Sequence, residues 1–126
     1  MPDRKILIVD DEADIREVAA MSLETLCGWN VLQAGSGAES LRVARQQRPD
    51  AILLDVMMPD MDGPKTLQAI RADSALANIP VIFLTAKVQS SDRRRFAEMG
   101  VTTVLAKPFD PLQLGEQIAN ALGWEL

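Results

Sequence analysis

Five short stretches rich in aliphatic and β-branched residues alternate along the chain with longer stretches of helical periodicity. The first, third and fourth are continuously apolar, which is typical of strands covered on both faces of a sheet. The stretches predicted as strands are Lys5–Val9, Asn30–Ala34, Ala51–Leu54, Val81–Leu84 and Thr102–Ala106. Parallel strands need crossover connections, which are right-handed in nearly all cases. The alternation therefore predicts an α/β fold of (βα)5 type, an open parallel sheet with helices on both faces.

The stretches between the strands have the pattern of amphipathic helices. In the first, apolar or small residues from Ile15 to Leu26 recur at the spacing of one helix face, and Gly28 suits the C-terminal cap. The other predicted helices are Gly37–Gln47, Pro64–Ala72, Ser91–Met99 and Pro111–Leu122.

Length and composition exclude several classes of protein. A chain of 126 residues has the size of one domain, so we expect a single domain over residues 1–126 with no second, output domain. The net charge of −5 argues against binding of nucleic acid, which requires a basic face. A lone cysteine, Cys27, and the lack of a membrane-spanning apolar run predict a cytoplasmic location away from the membrane. The chain has no histidine, so chemistry that needs one must take it from another molecule.

Polar residues follow four of the five predicted strands. These residues are Asp10 and Asp11, Asp55, Thr85, and Lys107. In open α/β sheets the ligand crevice lies at the carboxyl ends of the strands, where these side chains should converge. Three carboxylates against one lysine leave excess negative charge, which favours a divalent cation with oxygen ligands, Mg²⁺ above all. An aspartate nucleophile, a metal, a hydroxyl and an ammonium group together indicate phosphoryl transfer onto a carboxylate.

Four strings of the sequence match a known family in order and spacing: ILIVDDE (6–12), LLDVMMPDMDG (53–63), VIFLTA (81–86) and LAKPFD (105–110). Over essentially its full length the chain resembles the receiver domain of two-component response regulators, especially stand-alone receivers of the chemotaxis type. The resemblance implies a flavodoxin-like sheet with strand order 2-1-3-4-5.

The resemblance also implies a role for each residue of the predicted site. Asp55 would accept the phosphoryl group, Thr85 would hydrogen-bond it, and Lys107 would pair with one of its oxygens. The Lys107–Pro108 peptide bond would be cis. The residues that would hold Mg²⁺ are Asp10, Asp11, Asp55 and, through its backbone carbonyl, Met57.

In this family the phosphoryl group comes from a histidine of a partner kinase or phosphotransfer protein, which is compatible with the absence of histidine here. The chain would then be a signalling switch that catalyses only its own phosphorylation and dephosphorylation, not an enzyme acting on a metabolite. We expect it to be a monomer or weak dimer whose state is read by a separate effector protein.

One departure from the family keeps an alternative open. Many receivers carry an aromatic residue three positions before the lysine, where this chain has Val104. A degenerate receiver that acts as a protein-interaction scaffold without phosphorylation is therefore the first alternative. An aspartate-nucleophile phosphatase of the haloacid dehalogenase type is less favoured, because Met57 stands where its second acid would be. A flavodoxin-like nucleotide binder would need a glycine- and hydroxyl-rich loop in place of residues 10–14, four of which are acidic.

Overall fold

The computed structural model describes residues 4–59, 61–86 and 89–125. Its five strands form one parallel sheet in the order β2-β1-β3-β4-β5. The strands are β1 (Lys5–Val9), β2 (Asn30–Ala34), β3 (Ala51–Asp55), β4 (Val81–Thr85) and β5 (Thr103–Ala106). The helices are α1 (Ala13–Cys27), α2 (Gly37–Gln47), α3 (Gly63–Ala72), α4 (Ser90–Glu98) and α5 (Leu114–Leu122). The predicted fold class and strand order are confirmed.

The largest difference from the predicted elements is the start of α5. The prediction placed it at Pro111, whereas the helix begins at Leu114. The backbone carbonyl of Asp110 accepts hydrogen bonds from the amides of Gln113 and Leu114, and its side chain accepts one from Leu112. These bonds close a turn over residues 111–113 before the helix begins, because an aspartate side chain competes well for nearby amides in turns.

The sheet separates two apolar clusters, which explains the continuously apolar central strands. On one face, side chains of β1, β3 and β4 pack against α2, α3 and α4 through Ala44, Leu67 and Phe96. On the other face they pack against α1 and α5, with Leu23 and Ile118 fully buried. None of the helices in the described ranges has the length and apolar composition needed to cross a bilayer.

The start of α3 lies directly against the end of β3, at Gly63. Its N–H donates to the carbonyl of Val56 at 3.0 Å. A Cβ atom on Gly63 would lie 2.8 Å from the carbonyl oxygen of Asp55 and 2.8 Å from Cα of Val56. Only glycine therefore allows this approach, which holds the backbone that follows β3.

The substitution Gly63→Ala is expected to lower the free energy of unfolding by about 1–3 kcal/mol, because the contacted atoms are backbone and cannot rotate away. Urea denaturation monitored by circular dichroism would measure this loss. A change below about 0.5 kcal/mol, the usual range for surface substitutions, would contradict this close packing of α3 against β3.

Candidate functional site

The carboxyl ends of four strands bring all the predicted site side chains to one edge of the sheet. Asp10 follows β1, while Asp55 and Thr85 are the last residues of β3 and β4. These three residues are buried, with exposed fractions of 0%, 3% and 1%, whereas Asp11 is exposed. One carboxylate oxygen from each of Asp10, Asp11 and Asp55 can be chosen so that all three lie within 4.8 Å of one another. The predicted convergence of the acidic residues is therefore present.

Lys107 completes the cluster from the end of β5. Its Nζ lies 2.7 Å from Oδ2 of Asp10 and 3.3 Å from Oδ1 of Asp55. The N–H of Lys107 donates to the carbonyl of Thr85 at 2.9 Å, which ties the lysine backbone to β4. The Lys107–Pro108 peptide bond is cis, as the resemblance implies.

Met57 contributes its backbone to the site, and the residue as a whole is 60% exposed. The N–H of Met57 donates to Oδ1 of Asp55 at 3.3 Å. The same carboxylate oxygen contacts Lys107, so Oδ1 of Asp55 is held from two sides.

The hydrogen bonding of Asp10 provides a test of whether the cluster suits a metal ion. Its Oδ1 accepts a hydrogen bond from the N–H of Glu12 at 2.9 Å. Its Oδ2 is buried close to the ammonium of Lys107, yet it has no partner in hydrogen-bond geometry among the described residues. A buried, negatively charged oxygen with unused lone pairs beside two further carboxylates fits a hard divalent cation with oxygen ligands, such as Mg²⁺.

Burial and the charges of neighbouring groups both shift the pKa values of the cluster. Burial, followed by the negative charge of Asp10, raises the pKa of Asp55 from 3.8 to about 6, although Lys107 and the Met57 amide act in the opposite direction. Burial by itself lowers the pKa of Lys107, but its contacts with Asp10 and Asp55 outweigh that effect, so the pKa is raised above its ordinary value. At neutral pH the site therefore holds a charged lysine between carboxylates that repel each other.

Val104, the position where the chain departs from many receivers, is a core residue. It is 6% exposed and lies opposite Phe83 in the pairing of β4 with β5. The ring of Phe83 packs edge-on against Phe96 of α4, with centroids 5.0 Å apart. An aromatic contact therefore joins β4 to α4, whereas Val104, which has no ring, lies on the neighbouring strand β5.

Two features beside the site were not predicted from the sequence. The side chain of Arg16, on α1, donates a hydrogen bond to the backbone carbonyl of Asp10 at 2.6 Å. A largely apolar cavity of about 370 Å³ lies between α1 and the segment after β5, lined in part by Val18, Lys107 and Phe109. No pattern in the sequence indicated the cavity, because it is formed by segments that are far apart in the chain.

The model of the response regulator receiver domain family matches residues 6–119. The chain belongs to this family. Among solved structures, this receiver domain is similar to the chemotaxis protein CheY4 of Vibrio cholerae, with a TM-score of 0.88, 32% identity, and coverage of 95% of this chain and 99% of that one. The N-terminal domain of a response regulator receiver protein from Methanoculleus marisnigri is 36% identical, with a TM-score of 0.77 over 96% of this chain and 98% of that one.

Curated relatives of the receiver domain include longer proteins. The phosphate regulon transcriptional regulatory protein PhoB of Pseudomonas aeruginosa is 38% identical over 122 residues, which is 97% of this chain and 53% of that protein. The "Probable transcriptional regulator ycf27" of Guillardia theta is 41% identical over 118 residues, which is 94% of this chain and 45% of that protein. The chain thus spans about half the length of the curated relatives it matches. The expectations of a separate effector, of no output domain and of no contact with nucleic acid stay predictions.

Proposed function

We propose that this receiver domain accepts a phosphoryl group on Asp55 from a histidine of a partner kinase or phosphotransfer protein, with Mg²⁺ bound beside it. The observation that carries the proposal is the cluster itself. One oxygen atom from each of three carboxylates lies within 4.8 Å of the other two, and a lysine ammonium contacts two of these carboxylates. Structural ion pairs seldom collect like charges so closely, because repulsion between buried carboxylates is costly.

In the proposed reaction, an ionised carboxylate oxygen of Asp55 forms a bond to phosphorus. The bond between phosphorus and the imidazole nitrogen of the donor breaks, and that nitrogen leaves with its electron pair. With a pKa of about 6, Asp55 is mostly ionised at pH 7 and above and so is available for attack. Lys107 would pair with a phosphoryl oxygen, and the Thr85 hydroxyl would donate a hydrogen bond to the group once it is attached.

The residues that would hold Mg²⁺ are Asp10, Asp11, Asp55 and the backbone carbonyl of Met57. When bound, the ion would neutralise charge on the carboxylates and on the incoming phosphoryl oxygens. Apart from its ion pair with Lys107, the buried Oδ2 of Asp10 has no partner in hydrogen-bond geometry among the described residues, and the donor set consists of oxygen atoms; both features support this assignment.

A protein donor and a protein reader are supported by two observations. The chain has no histidine, so a phosphohistidine must be brought by another molecule. Two large apolar residues beside the site are exposed, Val18 (46%) and Met57 (60%), and Val18 lines the apolar cavity next to Lys107. Exposed apolar surface of this kind is typical of protein contacts.

Phosphorylation would place about −1.5 to −2 charges on Asp55 and so bias two arrangements of the surface around the site. We propose that a separate effector protein reads this difference in the cytoplasm and that the domain acts as a monomer or weak dimer. The domain would catalyse only its own phosphorylation and dephosphorylation.

The test is intact-mass measurement after incubation with Mg²⁺ and acetyl phosphate. We expect one phosphoryl group on the wild type, dependent on Mg²⁺, and none on Asp55→Asn. The matched control is Asp50→Asn, an exposed aspartate just before the other end of β3, which should be phosphorylated like the wild type. An adduct on Asp55→Asn would overturn the assignment of the acceptor. The absence of any adduct on the wild type, with binding of beryllium fluoride also absent, would favour the phosphorylation-independent scaffold.

A further inference from the structure

An arginine outside the predicted site contacts the loop that carries its first two carboxylates. Arg16 lies in the first turn of α1, where its N–H donates to the carbonyl of Glu12. Its side chain folds back towards the end of β1, and Nη1 donates to the backbone carbonyl of Asp10 at 2.6 Å. Hydrogen bonds from a charged donor are stronger than neutral ones, so this contact holds the carbonyl firmly.

The bond from Arg16 completes a set of contacts that orients Asp10. The N–H of Asp10 donates to the carbonyl of Ala34 in β2 at 3.1 Å, and its Oδ1 accepts from the N–H of Glu12 at 2.9 Å. Its Oδ2 lies 2.7 Å from Nζ of Lys107. Because Asp10 is 0% exposed, water cannot easily replace a lost donor at its carbonyl. Without Arg16, the backbone around Asp10 would have to shift to satisfy that oxygen.

The guanidinium of Arg16 occupies a close-fitting position against Gly35, the residue after β2. A Cβ atom on Gly35 would lie 3.3 Å from Nη1 and 3.7 Å from Cζ. The N–H of Gly35 is itself held by Oε1 of Glu39 at 2.6 Å. The Arg16 guanidinium therefore packs against the loop at Gly35, and the backbone of that loop is itself held by the hydrogen bond to Glu39.

Arg16 forms no ion pair with a carboxylate among the described residues. Within the described residues, no carboxylate oxygen lies within 4.0 Å of its side-chain nitrogens. Its Nε is buried and has no hydrogen-bond partner among the same residues. A cation that is partly desolvated without a carboxylate partner gains little stability from its charge. Its described side-chain hydrogen bond goes to the loop that bears Asp10 and Asp11.

We propose that Arg16 is a positioning residue for the divalent-cation site. Its side chain holds the Asp10 carbonyl so that Asp10 and Asp11 face Asp55 before the ion arrives. The proposal rests on the proposed Mg²⁺ site. Arg16 touches neither the ion nor the phosphoryl group and acts through the backbone. Partners of metal ligands that lie outside the coordination sphere typically change metal affinity by about 10–100-fold when they are substituted.

The test compares Mg²⁺ dissociation constants, measured by calorimetric titration, for the wild type, Arg16→Met, Arg16→Lys and Arg94→Met. Methionine keeps much of the stem of arginine but removes both the donor and the charge. Lysine keeps the charge and one donor but has a shorter side chain. Arg94→Met is the matched control, since Arg94 is exposed on α4. We expect the dissociation constant to rise about tenfold for Arg16→Met, less for Arg16→Lys, and not at all for Arg94→Met.

Each other result overturns the proposal in a different way. Tighter binding by Arg16→Met would show that Arg16 acts only as a repelling charge. Unchanged binding by a folded Arg16→Met would show a purely structural role. If Arg16→Met does not fold, Arg16→Gln, which removes the charge and shortens the side chain, takes its place, and unchanged binding by this variant would likewise show a purely structural role. A wild type that does not bind Mg²⁺ would instead contradict the proposed function on which this inference depends.

A measurement on the metal-free protein provides an independent readout. The N–H of Glu12 donates to Oδ1 of Asp10, so its hydrogen exchange reports whether Asp10 is held. We expect faster exchange at this amide in Arg16→Met than in Arg94→Met, with amides of β4 unchanged in both. Equal exchange at Glu12 in the two variants would contradict the positioning role.

Discussion

Lys107→Met is expected to lower the free energy of unfolding of the metal-free protein by about 3 kcal/mol at pH 8, the largest loss that we predict for a single substitution. Removal of one partner from a buried ion pair typically costs about 3–5 kcal/mol, because the remaining charge is left without compensation. Here two carboxylates lose their shared cation, since Nζ of Lys107 lies 2.7 Å from Asp10 and 3.3 Å from Asp55. The low end of the range applies because the lysine side chain is 15% exposed and water reaches the site.

Urea denaturation in the presence of a chelator would measure this loss, with Lys65→Met as the matched control on the exposed surface of α3. The double variant Asp10→Asn with Lys107→Met should recover much of the stability, because it removes one of the two uncompensated charges. Saturating Mg²⁺ should also reduce the loss, since the ion supplies positive charge at the same place. A loss in Lys107→Met no larger than that in Lys65→Met would contradict the geometry of the cluster.

Asp55→Asn is expected to raise the free energy of unfolding of the metal-free protein by about 1–2 kcal/mol above pH 6. The pKa of Asp55 is about 6 in the folded protein, compared with the ordinary value of 3.8 for an aspartate side chain. The folded state therefore binds the proton more tightly than the unfolded state, and Asp55 makes its largest contribution to stability below about pH 4. That contribution is lost as the pH rises from about 4 to 6. Full conversion of the pKa difference gives about 3 kcal/mol, and screening by water at the mouth of the site reduces the expected value.

The measurement is the difference in unfolding free energy between Asp55→Asn and the wild type from pH 4 to pH 8 in a chelator. The unfolding free energy of the variant should exceed that of the wild type by an amount that increases up to about pH 6 and then stays constant. Asp50→Asn, at the exposed aspartate beside the other end of β3, is the matched control for the loss of a carboxylate. Mg²⁺ should stabilise the wild type more than Asp55→Asn, because the variant lacks one charged ligand. A difference that does not change with pH would contradict the raised pKa of Asp55.

The local pattern of the sequence was sufficient to predict the fold class and the residue types at the site. Continuously apolar strands followed by amphipathic helices can bury both faces of a sheet only when helices cover each face. The parallel direction of the strands then brings their carboxyl ends to one edge. The predicted gathering of Asp10, Asp55, Thr85 and Lys107 at that edge follows from those two facts. The strand order came from the family resemblance, because periodicity does not determine which strands are neighbours.

Other properties depend on distances that only the packed structure provides. The start of α5 at Leu114 depends on competition between the Asp110 turn and the helix for the same amides. The contact of Arg16 with the carbonyl of Asp10 depends on how closely α1 and the segment after β2 approach the end of β1. The pKa of about 6 at Asp55 depends on burial, with the charge of Asp10 adding to it.

The sequence alone therefore determined which chemical groups the site contains and at which edge of the sheet they lie. The tertiary structure determined how far apart these groups are, how much water reaches them, and which other residues hold them. The physical reason is that hydrophobic periodicity and turn chemistry act over a few neighbouring residues, whereas electrostatic energies depend on ångström separations and on burial between segments far apart in the chain.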